Sequence, residues 1–295
     1  MKKSLLTCLI SSIIFICYAQ TPVGGPIEKQ FYLKAQLGYS VGFGSRVGIN
    51  YANNGGGYEY KNIYGSYGNG VGGGVGLGYF FNNYLGVELN ASVNALNVPE
   101  FNLFPDRPIY IYSKNPIKIN STGFQISINP TIIIKAPIGK LTPYLKLGAV
   151  VPIYTYFKRK YEIPIKNNGI NQITIENNVS TSISLGITGC IGTYIYLSKN
   201  FSLFGEITYI SLSQNTAKSI MTSFKVDDTE QVGSMTINQK EIDYSDSYTD
   251  PPLTYTLGGT TISYDYRNQP QKALSETISM TNIGLQLGVV YKFGE

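Results

Sequence analysis

The 295-residue sequence contains no histidine. That removes the base of a Ser-His-Asp triad, and no local motif supports a Ser or Asp mechanism without it. Cysteine is scarce. Of the three, Cys8 and Cys17 stand at the N-terminus and only Cys190 lies in the body of the chain. Once the N-terminus is removed no internal disulfide can form, even in a compartment that permits one. Past Ile16 no stretch holds the roughly 18 or more consecutive apolar residues that a membrane helix requires. A helical membrane protein is therefore excluded. Charge is modest too: 23 Lys and Arg against 18 Asp and Glu give +5, and loss of Lys2 and Lys3 leaves +3 (5 less 2). This is too weak a balance to point to nucleic acid.

The chain opens MKKSLLTCLISSIIFICYAQ, two lysines followed by an apolar run from Leu5 to Ile16 and then Cys17 and Ala19 at the small-residue spacing read by a signal peptidase. Residues 1–19 are expected to be a removed export signal, and 20–30 a short periplasmic segment. Neither Cys8 nor Cys17 follows the small residues of a lipoprotein box, so no lipid anchor is expected.

What the chain has in abundance is glycine (32) and tyrosine (25), set in segments of alternating character. In FYLKAQLGYSVGF, Phe31, Leu33, Ala35, Leu37, Tyr39, Val41 and Phe43 fall on one face of an extended chain, with Lys34, Gln36, Gly38 and Ser40 on the other. Eight such segments are found, near 31–43, 71–81, 84–97, 119–135, 141–157, 179–196, 201–214 and 282–293. Connections alternate strictly. FNNY (81–84), KAPIGK (135–140) and LSKN (197–200) are tight turns, whereas 44–70, 98–118, 158–178 and 215–275 are long. Short turns at one end and long loops at the other predict an all-β fold: an eight-stranded antiparallel up-and-down transmembrane barrel, residues 31–295, with periplasmic turns and extracellular loops.

The polar faces decide the orientation. They carry Gly, Ser and Asn rather than the Lys, Glu and Thr of a solvated sheet, with isolated charges at Lys34, Glu88, Lys146, Glu206 and Lys292. Such faces suit a crowded lumen in which opposite charges pair, and the apolar faces then meet lipid. Closure satisfies every backbone group, as hydrocarbon demands. Aromatics near the strand ends, among them Tyr39, Phe43, Tyr79, Phe81, Tyr84, Tyr154, Phe157, Tyr194, Tyr291 and Phe293, are expected to form girdles at the two membrane surfaces.

In this pattern, and in a last strand ending VVYKF, the chain resembles the small outer membrane barrels of the outer membrane protein A, W and X type. The likeness is strongest to the Bacteroidota-like outer membrane protein β-barrel domain proteins. The resemblance implies residence in the outer membrane among lipid and lipopolysaccharide. It also implies Tyr291 and Phe293 as an aromatic-x-Phe signal for the barrel assembly machinery, although here Gly294 and Glu295 follow where the family ends on the aromatic. Enzymes among outer-membrane barrels lean on a histidine, so no catalysis is expected.

Other motifs carry less. GNGVGG (Gly68, Gly70, Gly73) matches a dinucleotide fingerprint, but a strand and not a helix follows it; its glycines instead leave room for bulky lumen groups. Asp243, Asp246 and Asp250 lack calcium-loop spacing, and no metal or cofactor is expected. Lys158, Arg159 and Lys160 are candidates to clamp lipopolysaccharide phosphates, against a plainer reading as a solvated rim. The long loops hold Tyr51, Tyr58, Tyr60, Tyr64 and Tyr67 among Gly and Asn, a surface suited to an extracellular partner yet to be identified. Pro130, Pro143 and Pro152 interrupt strands awkwardly. The expected role is structural or interactive at the cell surface, as a monomer. The alternatives are a narrow channel for small or hydrophobic solutes and a soluble exported barrel that binds an apolar ligand.

Overall fold

The computed structural model describes residues 29–53, 58–103, 117–136, 141–167, 169–248, 254–257, 260–263 and 267–293. The expected signal 1–19, most of 20–30, Asp250, Gly294 and Glu295 lie outside them. Eight long strands carry the fold: β1 (Gln30–Gly42), β2 (Gly70–Phe80), β3 (Leu85–Leu103), β4 (Ile117–Lys135), β5 (Leu141–Asn167), β6 (Gly186–Tyr196), β7 (Phe201–Ser211) and β8 (Asn282–Phe293). Each pairs antiparallel with the next. β8 returns to β1 in register from Phe31 opposite Phe293 to Gly42 opposite Asn282, so the sheet closes and leaves no barrel edge.

The tight turns are built as their residues dictate. Asn82 Oδ1 accepts the amides of Tyr84 and Leu85, both at 2.8 Å, and Ser198 Oγ accepts Phe201 N at 3.1 Å.

The alternation sorts by side as expected. Leu37 is 72% exposed and Leu287 60%, whereas Lys34, Glu88, Lys146 and Glu206 are at most 4% exposed. An oily exterior around an ionic interior is the reverse of a water-soluble barrel. That rules out the soluble ligand-binding alternative. Aromatic pairs ring both ends: Phe31 with Tyr79 (4.6 Å between ring centroids) and Tyr291 with Phe293 (5.2 Å) near the turns, Phe43 with Tyr209 (6.2 Å) near the loops. From Phe31 to Phe43, twelve residues at about 3.3 Å each and a tilt near 40° span about 30 Å, a hydrocarbon thickness.

Two aromatics expected in the girdles turn inward. Phe157 (0% exposed) does so because a bulge at Ile153 reverses the side of every later residue: Ile126 pairs with Tyr154 but Ser127 with Pro152. Tyr194 points inward by simple alternation from Cys190.

The segments read as long loops are largely strand. β5 runs past Phe157 to Asn167, turns at Gly169 (φ +81°) and pairs with Ile170–Thr181. Ser213–Val226 continues the line of β7, pairs with Ile170–Thr181, and is followed by Glu241–Ser245 and then Gln271–Leu274. A sheet thus stands on the loop end of the barrel. Ser45–Asn53 and Tyr58–Gly65 form a separate hairpin there.

Between barrel and sheet the strands part. Val150 pairs with Gly186 and Tyr156 with Ser180, the same register, yet 151–155 and 181–185 make no ladder pairs with each other. Pro152, lacking an N–H, and the bulge beside it account for the gap.

Candidate functional site

Four of the five expected lumen charges meet at one level. Lys34 comes from β1, Glu88 from β3, Lys146 from β5 and Glu206 from β7, so that alternate strands supply the charges. Two of the strands between contribute small residues there, Gly76 and Gly78 on β2 and Cys190 and Gly192 on β6, whereas β4 and β8 set the buried Ile133 and Val290 beside Lys146 and Lys34. Long side chains from alternate strands can therefore cross the lumen without colliding.

Each ammonium touches both carboxylates. Lys34 Nζ lies 2.9 Å from Glu206 Oε1 and 3.5 Å from Glu88 Oε1, and Lys146 Nζ lies 3.0 Å from Glu88 Oε1 and 3.1 Å from Glu206 Oε2. Two phenols complete the set. Tyr32 OH donates to Glu88 Oε2 at 2.8 Å, and Tyr144 OH donates to Glu206 Oε2 at 2.7 Å. The quartet is neutral overall, and the shared contacts with added hydrogen bonds are what a buried ion network requires to offset its desolvation. The phenols reach the carboxylates because glycine lies beneath each ring: a Cβ on Gly78 would overlap Tyr32, and one on Gly192 would sit 2.6 Å from Tyr144 Cζ.

Toward the turns the quartet rests on packed rings. Tyr32 stacks on Phe80 (5.0 Å), Tyr144 stacks on Tyr194 (4.3 Å), and Lys34 Nζ lies 4.4 Å from the centroid of the Phe204 ring. Toward the loops lies a polar layer containing Gln36, Asn90, Ser92, Gln125 and Asn129. Beyond that, Tyr67, Leu96, Phe157, Leu212 and Met280 belong to a second apolar cluster.

The fifth charge, Lys292, does not join. It faces inward opposite Tyr32, nearer the turns, with Nζ 4.2 Å from the centroid of the Tyr196 ring. Tyr32 and Tyr144, both on the expected inner face, were not anticipated as partners of the carboxylates; the signal was a tyrosine two residues before each lysine, Tyr32–Lys34 and Tyr144–Lys146.

Lys158, Arg159 and Lys160 sit on the extension of β5 and separate by side. Lys158 pairs with Glu176 at 2.7 Å and Lys160 with Glu162 at 2.7 Å, both half exposed. Arg159 faces inward, its guanidinium 5.6 Å from the Tyr67 ring and 3.4 Å from Glu276. The hydrogen bond to Glu162 raises the Lys160 pKa. Among the loop tyrosines Tyr64 is exposed and Tyr67 buried. The side chains of Tyr51, Tyr58 and Tyr60 lie outside the described residues. Among those described, no three His, Cys, Asp or Glu side chains gather where a metal ion would be held.

A closed eight-stranded cylinder with an apolar belt, aromatic rings at both ends and an ion network inside is a transmembrane barrel of the outer-membrane class. Residues 28–233 match the model of the outer membrane protein beta-barrel domain, and the chain belongs to that family. It is accordingly an integral protein of the outer membrane. No curated protein matches the sequence. Similar solved structures include the outer membrane protein OprG from Pseudomonas aeruginosa (14% identity, 92% of this chain and 99% of that one, TM-score 0.44). Another is the attachment invasion locus protein Ail of Yersinia pestis (14% identity, 89% and 99%, TM-score 0.34).

Proposed function

We propose that the barrel is a closed, non-catalytic anchor and that the sheet above it is the working part, presented for interaction at the cell surface. The observation that carries this reading is the division of labour along the chain. The lumen is filled at the level of the quartet and its aromatic floor, while β5 continues ten residues past Phe157 into ordered sheet. An anchor needs the first, and a recognition surface benefits from the second. The absence of histidine supports a role without hydrolysis. Lipid surrounds a monomer in this reading, Tyr291 and Phe293 lie exposed at the turn end where the assembly machinery would read them, and the half-exposed Lys158 and Lys160, each paired with a glutamate, would meet lipopolysaccharide. Liposomes containing the purified protein should swell no faster in a sugar or amino-acid solution than empty ones. Measurable flux that rises with Glu88→Ala or Lys146→Ala would instead establish a lumen channel gated by the quartet.

One observation favours the second reading, a passage for small or hydrophobic solutes: the parting of the wall at 151–155 and 181–185. Such a route would bypass the quartet. Cysteines placed at Val151 and Leu185, opposite each other in the preserved register, should close it when oxidised. Uptake of an apolar solute unaffected by that cross-link would dismiss the route.

A further inference from the structure

The quartet belongs to a larger repeat. Two rows of residues cross the wall in matching register: Lys292, Tyr32, Gly78 and Glu88 on β8, β1, β2 and β3, and Lys135, Tyr144, Gly192 and Glu206 on β4, β5, β6 and β7. Each row starts from a lysine on the turn side of the quartet. The rows begin four strands apart in a ring of eight, so Lys135 and Lys292 stand on opposite walls at one level, beneath the tyrosines that serve the carboxylates. Each ammonium rests on a ring, Lys135 Nζ 3.7 Å from the centroid of Phe80 and Lys292 Nζ 4.2 Å from that of Tyr196. Both lysines are withdrawn from solvent, at 9% and 7% exposure. Among the described residues Lys292 Nζ has no carboxylate partner and no hydrogen-bond acceptor. Glu88 and Glu206 are already held by Lys34 and Lys146, and a ring face replaces only part of the hydration that a buried ammonium gives up.

The surroundings carry the same sign. Lys29 and Lys199 are exposed beside the mouth, and the turns FNNY, KAPIGK and LSKN contain no acidic residue. The segments that meet at this end hold five lysines, Lys29, Lys135, Lys140, Lys199 and Lys292, against Glu28 and Glu295. Lys140 and the two glutamates lie outside the described residues. Tyr291 and Phe293, which flank Lys292 in the chain, stand in the aromatic ring that marks the membrane surface, so Lys292 sits near the height of lipid phosphates. We propose that the turn-end mouth is a phosphate site: Lys135 and Lys292 close on one phosphate group from opposite sides, and Lys29 and Lys199 draw it in. An ammonium is a point charge with three donors on a flexible stem, so two lysines can meet a tetrahedral anion from different directions. The group comes either from the headgroup of an anionic phospholipid in the adjoining leaflet or from a free phosphate ester. It fastens the turn end, at the opposite end of the barrel from the outer sheet.

Urea unfolding of the full chain in vesicles of neutral phosphatidylcholine tests this. A ligand of the folded state raises the midpoint. A rise with inorganic phosphate, compared with chloride at equal ionic strength, identifies a free phosphate as the ligand; a rise only when phosphatidylglycerol is included in the vesicles identifies the headgroup. In Lys292→Met the amount of phosphate or phosphatidylglycerol that gives half the rise should be about tenfold higher. Lys292→Arg should keep the response, and Lys158→Met with Lys160→Met, at the loop end, should leave it unchanged. Each variant is compared with its own midpoint in chloride and neutral lipid, which removes any change in basal stability. No rise with either source, or a rise undiminished in Lys292→Met, overturns the proposal.

Discussion

Replacing Glu88 by Gln keeps the side chain's size and removes one charge from the centre of the quartet. Lys146 then loses contacts at 3.0 and 3.1 Å, Lys34 loses one at 3.5 Å, and both ammonium groups are left to share Glu206. Removing one partner of a buried ion network typically costs about 3–5 kcal/mol, mostly from the charge left behind. Lys146→Met should cost a similar amount for the mirror-image reason. The double variant is neutral again and keeps the Lys34–Glu206 contact at 2.9 Å, so its cost should fall well short of the sum, with a coupling of about 3 kcal/mol. Reversible urea unfolding in lipid vesicles, followed by circular dichroism, gives all three values. If Glu88→Gln costs less than about 1 kcal/mol, or the two changes simply add, the four side chains do not act as one network.

Two further predictions follow from single contacts. Gly78→Val places a side chain inside the Tyr32 ring, which Phe80 and Glu88 hold in place; destabilisation of about 1–3 kcal/mol is expected, partly relieved by Tyr32→Ala, and equal effects in both backgrounds would show that the ring does not occupy that space. In the outer sheet, Ser223 Oγ and the amides of Phe224, Val232 and Gln231 all donate to the Glu230 carboxylate, lowering its pKa from the usual 4.5 to about 2. Because the folded value is the lower one, the stabilisation is complete above about 4.5 and disappears as pH falls through about 2. Amide protection at Phe224 and Val232 should follow that course and be weaker and pH-independent in Glu230→Gln; a flat profile in the unaltered protein counts against the anchor.

The barrel was legible because its period is simple. Each alternating segment became a wall strand, although the sixth begins at Gly186 and not at Val179, and the side on which Lys34, Glu88, Lys146 and Glu206 fall was readable from neighbours two residues away. What could not be read was anything that shifts the period or depends on the far wall. The bulge at Ile153 reverses Phe157 without a sequence signal beyond the adjacent Pro152. Tyr194 is a different case, since alternation from Cys190 placed it inward and only its position near a strand end suggested otherwise. The sheet above the barrel was hidden because its strands, such as Ile170–Thr181, present partly buried residues on both faces and so lack a clean polar and apolar side. That four charges share one level while Lys292 lies below them depends on stagger between strands, which a single sequence does not contain.

The central claim is the orientation of the faces, and the chain offers a clean way to test it because it has no tryptophan. Leu37→Trp and Leu287→Trp, each at an exposed position of the belt, introduce single fluorophores. In bilayers of lipids brominated along the acyl chains both should be strongly quenched, while aqueous acrylamide leaves them nearly untouched. Quenching by acrylamide with no effect of bromine would put those side chains in water and contradict the account.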